Sequence, residues 1–259
     1  MKLLQISDTH LGEPGTRCFG LDPAAQLAQC VAHANAFHGD AELAVVSGDL
    51  VNAATEAEYL ELRRVLAGLA VPFRLIPGNH DRRDRIRSAF AGLPFEPGRF
   101  LHQCVETSAA TLLLLDTREP REEWGRLCPE RLAWLERRLD SARAPVLIFM
   151  HHPPIPVGHA AMDAMGLREP EAFLGLVARH RDRVRHVFFG HVHRPYFSML
   201  DGIGYSAVPG TSHQVSLMGM GRGDLYASGE PAGYGVILVE EGRVGVHVQS
   251  FAEAPLYGF

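Results

Sequence analysis

Leu3-Leu4-Gln5-Ile6-Ser7-Asp8-Thr9-His10 is the stretch whose reading decides the fold: a short apolar run that breaks into a polar pair, Asp8 and His10. The same figure returns along the chain. Leu43 to Val46 runs into Gly48-Asp49, and Phe73 to Ile76 runs into Gly78-Asn79-His80-Asp81. Val146 to Met150 ends in His151-His152-Pro153-Pro154, and Val184 to Phe189 ends in Gly190-His191-Val192-His193. Short apolar runs bounded by turn residues predict buried strands, with Thr111 to Leu115 another of the same kind. Polar residues at several strand exits are the usual way an open α/β sheet builds a site.

Helical patterns fill the intervals. Leu27, Cys30, Val31, Ala34 and Phe37 fall on one helical face, as do Tyr59, Leu62, Leu66 and Leu69 behind a capping box of Thr55 and Glu58. Pro129 and Pro170 each precede an apolar helical stripe and predict first-turn prolines. After Gly190 the texture turns to strands, at Tyr196 to Leu200, Tyr205 to Val208, Val236 to Val239 and Val244 to Val248. The interval Gly219 to Gly235 predicts a long loop. There is no internal repeat or clear linker, so the reading is one domain over 1–259: two sheets face to face with helices outside.

Composition narrows the function. The 259 residues are 46% hydrophobic and 21% charged, with a net charge of −5, so no overall basic field exists to hold nucleic acid or an anionic membrane. Of the 25 basic residues all but Lys2 are arginine, which excludes a phosphate-binding G-x-x-x-x-G-K-[ST] loop and an interior Schiff base. Cys18, Cys30, Cys104 and Cys128 are scattered with no C-x-x-C pair, which predicts a reduced state. The apolar run at the N-terminus is interrupted too early for a signal peptide, and no stretch approaches the roughly 20 apolar residues of a membrane span. The expected location is the cytoplasm.

Histidine is the unusual residue, with 14 present. Alternate side chains of a strand share a face, so Asp8 and His10 are expected to address one ion, as are His191 and His193. Glycine before Asp49, Asn79 and His191 leaves room for a tight turn. Asp8, His10, Asp49, Asn79, His151, His191 and His193 make seven donors without a thiolate. That is too many for one tetrahedral zinc and right for two ions sharing a carboxylate. Mixed imidazole and carboxylate ligation suits manganese, iron, cobalt or zinc.

The ordered set D-x-H, G-D, G-N-H-D, H-H-P-P and G-H-x-H, spread from residue 8 to residue 193, resembles the calcineurin-like metallophosphoesterases. Within them it is most similar to the class III cyclic nucleotide phosphodiesterases and the bacterial glycerophosphodiesterase group, whose downstream segment resembles Pro209-Gly210-Thr211-Ser212-His213-Gln214-Val215. The resemblance implies a four-layer α/β/β/α sandwich of two mixed β-sheets flanked by helices. It implies that Asp8, His10, Asp49 and His193 hold one metal, and that Asp49, Asn79, His151 and His191 hold the other, with Asp49 bridging. The sequence leaves the choice between His151 and His152 open. His80 is expected to face substrate as a catalytic acid, with Asp81 supporting either His80 or its loop. The implied chemistry is in-line attack on phosphorus by a hydroxide shared between the two ions.

Substrate is read from the differences. Asn52 stands three residues after Asp49, where purple acid phosphatases place a metal-binding tyrosine, and Leu50-Val51-Asn52-Ala53 replaces the Asp-Arg-Gly continuation of protein phosphatases. A small phosphodiester remains, either a glycerophosphodiester or a cyclic nucleotide. Phe19, Asn52, His80 and His213 are the candidate substrate contacts, and the loops Gly158 to Gly166 and Gly219 to Gly235 are expected to shape the pocket. Phe19 stands where the resemblance leads one to expect tyrosine. Alternatives are a broad phosphomonoesterase or phosphonate ester hydrolase, a nuclease, or a scaffold without activity. The resemblance also implies a homodimer or higher homo-oligomer, with Phe251, Leu256, Tyr257 and Phe259 as a candidate contact beside the alternative of packing on their own sheet.

Overall fold

The apolar runs become the inner strands of two sheets. In the computed structural model, which describes residues 1–143 and 145–252, the chain begins β1 (Lys2–Ile6), α1 (Pro23–His38), β2 (Leu43–Ser47), α2 (Glu56–Leu66), β3 (Phe73–Ile76) and α3 (Arg83–Ala89). It continues β4 (Gln103–Glu106), β5 (Thr111–Leu114), β6 (Gly125–Arg126), α4 (Pro129–Ser141), β7 (Val146–Phe149) and α5 (Ala160–Ala164). Then come β8 (Leu167–Arg168), α6 (Glu171–Arg179), β9 (Val184–Phe189), β10 (Tyr196–Leu200) and β11 (Ile203–Ala207). The last elements are β12 (Gln214–Val215), β13 (Ala227–Ser228), β14 (Gly233–Glu240) and β15 (Arg243–Ser250).

One sheet has the order β15-β14-β1-β2-β3 and the other β10-β11-β9-β7-β5-β4. Both are mixed. β1, β2 and β3 run parallel, as do β5, β7, β9 and β11, while the flanking pairs are antiparallel. Strand alternation sorts the core. Leu4, Ile6, Ala44 and Val46 face α1 and α2 in one apolar cluster, while Leu3, Leu43 and Val45 meet Leu112, Leu147 and Phe188 between the sheets. A third cluster packs Leu113, Ile148 and Val187 under α4 and α6. The result is the four-layer α/β/β/α sandwich. Strands buried on both faces read as continuous apolar runs because neither face meets water.

The helix ends follow their local chemistry. Thr55 accepts from the Glu58 amide while Glu58 accepts from the Thr55 amide, a complete capping box at α2. Pro129 opens α4 inside its first turn; Pro170 stands just outside α6 as its cap residue, a one-residue correction to the expectation. The interval expected as a loop, Gly219 to Gly235, contains β13, which pairs with β12, and the start of β14. Two residues are too short a strand to leave an apolar period in the sequence. Phe251 is buried in the cluster below α1, so it packs on its own sheet, while Leu256, Tyr257 and Phe259 lie outside the described residues.

Polar ties cross between the sheets beneath the strand exits. Gln5 Nε2 donates to the Phe189 carbonyl at 3.0 Å, the His191 amide donates to Asp8 Oδ1 at 3.0 Å, and His151 Nδ1 donates to the Ser47 carbonyl at 2.9 Å. Phe149 and Phe188 stack in the same interlayer with ring centroids 4.6 Å apart. Phe188→Ala is expected to lower unfolding free energy by about 3–5 kcal/mol, as a cavity in a close-packed layer does, measured by urea denaturation. A loss below about 1 kcal/mol would show that the two sheets do not depend on that layer.

Candidate metal centre

The strand exits converge at one edge of the sandwich: β1, β2 and β3 run parallel in one sheet, β7 and β9 run parallel in the other, and the side chains that follow them meet. Asp8 and His10 follow β1, Asp49 follows β2, Asn79 follows β3, His151 follows β7, and His191 and His193 follow β9. The expected strand alternation is not what aligns the two pairs. β1 stops at Ile6 and β9 at Phe189, and the donors beyond them sit in left-handed backbone. Asp8 (φ 52°), His10 (φ 41°), Asp49 (φ 47°), His191 (φ 70°) and His193 (φ 48°) all have positive φ without being glycine. Each such residue costs on the order of 1–3 kcal/mol and persists only where the surroundings impose it.

The first donor group comprises Asp8, His10, Asp49 and His193, with one donor atom from each within 4.8 Å of the others. His10 Nε2 lies 3.0 Å from His193 Nε2 and 3.5 Å from Asp49 Oδ2, and His193 Nε2 lies 3.6 Å from Asp8 Oδ1. The second group meets the other side of the same carboxylate. His151 Nε2 lies 3.4 Å from Asp49 Oδ2, 3.2 Å from Asn79 Oδ1 and 3.3 Å from His191 Nδ1. His152 also brings a ring nitrogen within 4.8 Å of His151 and His191. Its Nδ1, however, pairs with Thr117 Oγ1 at 2.8 Å, and none of its hydrogen bonds reaches Asp49 or Asn79. The geometry therefore favours His151 over His152.

The donor set fits divalent cations on its own chemistry. His151 Nδ1 and His193 Nδ1 donate to the carbonyls of Ser47 and His213, at 2.9 and 2.8 Å, which turns each Nε2 toward the other donors. Burial pushes His10 well below the ordinary imidazole range and His191 down to about 3, so both rings are neutral, the form that ligates metal. Burial opposes ionisation of Asp49, but His151 and His10 beside it hold its carboxyl well below the ordinary range. Burial disfavours the His151 cation, yet Asp49 raises that ring to about 9. His191 Nε2 is buried without a partner among the described residues.

Close approach explains two glycines. At Gly78 a Cβ would overlap the Asp49 carboxylate, and at Gly48, with φ +97°, it would overlap the His151 ring. Asp81, expected to support His80 or its loop, holds the loop. Its Oδ2 accepts from the amides of Gly78 and Leu50 at 2.8 and 3.1 Å, and its Oδ1 accepts from the Tyr59 hydroxyl at 3.0 Å. Burial, with Asp49 nearby, raises this carboxyl to about 7. Asp81 is fully buried and is not among the residues that line the cleft above the donors.

Above the donors lies a cleft of about 290 Å³ lined by His10, Asp49, Asn79, His80, His191 and His193. Phe19 and His213 line it too, with ring centroids 4.9 Å apart; Phe19 is 70% exposed, which removes core packing as its role. His80 Nδ1 donates to the Asn52 carbonyl at 2.8 Å, so Asn52 addresses the site through its backbone. Burial works against the His80 cation, but Asp49 and the Asn52 carbonyl prevail and raise its pKa. Sequence reasoning did not name Glu123, Met162, Met165, Leu225 and Tyr226, which also line the cleft. Met162 and Met165 come from the loop 158–166, and Leu225 and Tyr226 from the loop 219–235, the two loops expected to shape the pocket. Asp116 and Thr117, which the sequence reading did not single out, also stand just past an apolar run, at the exit of β5.

Comparison with known proteins agrees with this geometry. The chain is 38% identical, over 99% of its length and 95% of the relative, to a protein of Rhodopseudomonas palustris named a probable cyclic nucleotide phosphodiesterase. It is 34% identical to a glycerophosphodiester phosphodiesterase of Enterobacter lignolyticus, over 83% of this chain and 79% of that one. In fold it is similar to a dimetal phosphatase of Danio rerio, with a TM-score of 0.73 at 15% identity over 98% of this chain and 97% of that one. The family model described as calcineurin-like phosphoesterase matches residues 1–195, which span every donor above, and the chain belongs to that family.

Proposed function

We propose that this chain is a two-metal phosphodiesterase whose substrate is a cyclic nucleotide. The observation that supports the reading is a single cleft with seven converging donors on its floor and Phe19, Met162, Met165, Leu225 and Tyr226 on its wall. Flat apolar and aromatic faces suit a nucleobase, and the relative matched over almost the whole chain carries a cyclic nucleotide phosphodiesterase name. Glu123 favours a second reading: a carboxylate in the wall would pair with the cationic amino alcohol of a glycerophosphodiester.

Asp8, His10, Asp49 and His193 would hold one cation, and Asp49, Asn79, His151 and His191 the other. Manganese, iron, cobalt or zinc would suit these donors. When bound, such a pair supplies Lewis acidity toward the phosphoryl oxygens and lowers the pKa of a shared water. His80 does the remaining work from the chain. Its Nδ1 proton is held by the Asn52 carbonyl, so Nε2 is the nitrogen left for the substrate. Water forms the new P–O bond in line as the ester P–O bond breaks; the departing alkoxide takes the Nε2 proton, the attacking water gives up one proton to solvent, and solvent reprotonates His80. Asp81 and Tyr59 position this loop, and Tyr59 also accepts from the Arg82 amide at 2.8 Å. We place the enzyme in the cytoplasm, on the strength of its free cysteines, as one domain over 1–259 that acts as a homo-oligomer.

Substrate choice is tested on manganese-loaded protein with cyclic AMP, glycerophosphoethanolamine and a simple phosphomonoester. The expected kcat/KM for cyclic AMP exceeds both others by at least about tenfold. Equal or higher values for glycerophosphoethanolamine would replace this reading by the second. Chelation is expected to abolish turnover, and added manganese to restore it; turnover indifferent to metal sinks the two-metal assignment.

His80→Ala is expected to keep two metals per chain by elemental analysis and to lose about 10²–10⁴ in kcat on cyclic AMP. The loss on bis-p-nitrophenyl phosphate, whose leaving group needs no proton, is expected to be smaller. Equal losses on both would remove the proton-donor role.

A further inference from the structure

Outside the metal centre the molecule has a second polar cleft, about 660 Å³ in volume, whose wall includes Arg82, Arg83, Arg87, Arg99, Arg118 and Arg121. Six guanidiniums around one cavity are unexpected in a chain of net charge −5. Like charges gathered in a concave, partly desolvated site repel one another unless something answers them.

Carboxylates answer only half. Arg82 pairs with Asp84 at 2.8 Å, Arg83 grips Asp116 through two nitrogens at 2.6 and 2.7 Å, and Arg99 reaches Glu130 at 3.3 Å. Arg87 spends one nitrogen on the carbonyls of Gly98 and Phe100, both at 2.8 Å, which orients it without cancelling its charge. Among the described residues Arg118 and Arg121 have no acidic partner, and Arg118 Nε is buried with no hydrogen bond. Burial, with Arg83 beside it, holds Arg118 below the ordinary arginine range. A buried donor without an acceptor requires an explanation.

The arginines are also held in place. The Phe100 ring lies under Arg83 and Arg99, with guanidinium-to-centroid distances of 5.2 and 4.5 Å. Cation–π contact fixes a guanidinium and leaves its edge donors available. Arg83 also donates to the Arg118 carbonyl, tying the two segments of the wall together.

From these observations we propose that the cleft is a second ligand site that binds the polyphosphate chain of a small molecule. Three guanidiniums without carboxylates, Arg87, Arg118 and Arg121, match the three or four charges of such a chain, and the planar fork of arginine suits phosphate oxygens in particular. The site is separate from the metal centre, since none of its lining residues is a donor there. It nevertheless backs onto the same two segments. Arg82 and Arg83 follow His80 and Asp81, and Arg121 stands two residues before Glu123 of the catalytic cleft.

The test is calorimetric titration of tripolyphosphate into the metal-loaded full chain, freed of excess metal, with ATP in a parallel arm. Saturable binding at one site is expected, weakened about tenfold by Arg121→Ala and by Arg118→Ala, the loss of one charged hydrogen bond in each case. Arg121 is exposed, so its replacement leaves the fold intact, and Arg137→Ala on the exposed face of α4 removes the same charge and is expected to change nothing. ATP bound more tightly than tripolyphosphate identifies a nucleoside triphosphate; equal affinity identifies the phosphate chain alone. Binding must also survive Asp49→Asn, or in wild type stripped of metal. No saturable binding, equal binding by Arg121→Ala and Arg137→Ala, or binding lost with the metal centre overturns the proposal.

Discussion

Asp49 stands between imidazoles that arrive from both sheets, and the rest of the structure is arranged to keep its carboxylate ionised there. His10 comes from the end of β1 and His151 from the end of β7; their Nε2 atoms lie 3.5 and 3.4 Å from the same oxygen, Oδ2. The other oxygen accepts from the His80 amide at 3.0 Å, so the group that faces the cleft is registered to the carboxylate by backbone. Each donor group mixes residues from the two sheets. Neither group exists unless the sheets are packed in one register, which makes the apolar layer of Leu3, Val45, Phe149 and Phe188 part of the site.

That packing also supports the backbone strain. Asp8, His10, Asp49, His191 and His193 adopt left-handed conformations that side chains with a Cβ ordinarily avoid. Two ties hold them: across the sheets Asp8 accepts the His191 amide, and within the second sheet's own connections the His193 ring is pinned to the His213 carbonyl. A centre built this way is preorganised, because the cost of bringing donors together is met by folding and not by the ligand. The arginine cleft differs in kind. Its charges are oriented by Phe100 and by carbonyls, so it is rigid yet electrostatically incomplete.

Some of this was legible because it is written locally. A buried strand must be apolar along its length, and a polar residue at its exit interrupts the run, so Asp8, Asp49, Asn79, His151 and His191 stand out from their neighbours. The capping box at Thr55 and Glu58 is likewise a local signal with a local partner. The alternation argument brought Asp8 and His10 to one side by a geometry the structure does not have, since side-chain spacing says nothing about where a strand stops. Glu123 had no signal at all, and Met162 and Tyr226 were signalled only as part of loops expected to shape the pocket: each lies in an irregular or very short element, and only its distant neighbours make it part of a wall.

By itself, then, the order of residues determined the central strands, the four longer helices between them and the identity of the polar side chains at each exit, because those follow from burial and periodicity along the chain. The three-dimensional packing decided which nitrogen of each histidine turns inward, that Asp81 clamps a loop and does not line the cleft above the donors, and that six scattered arginines share one cavity. Such outcomes depend on contacts between segments far apart in the chain, where the conformation of one strand exit is set by the side chains of another.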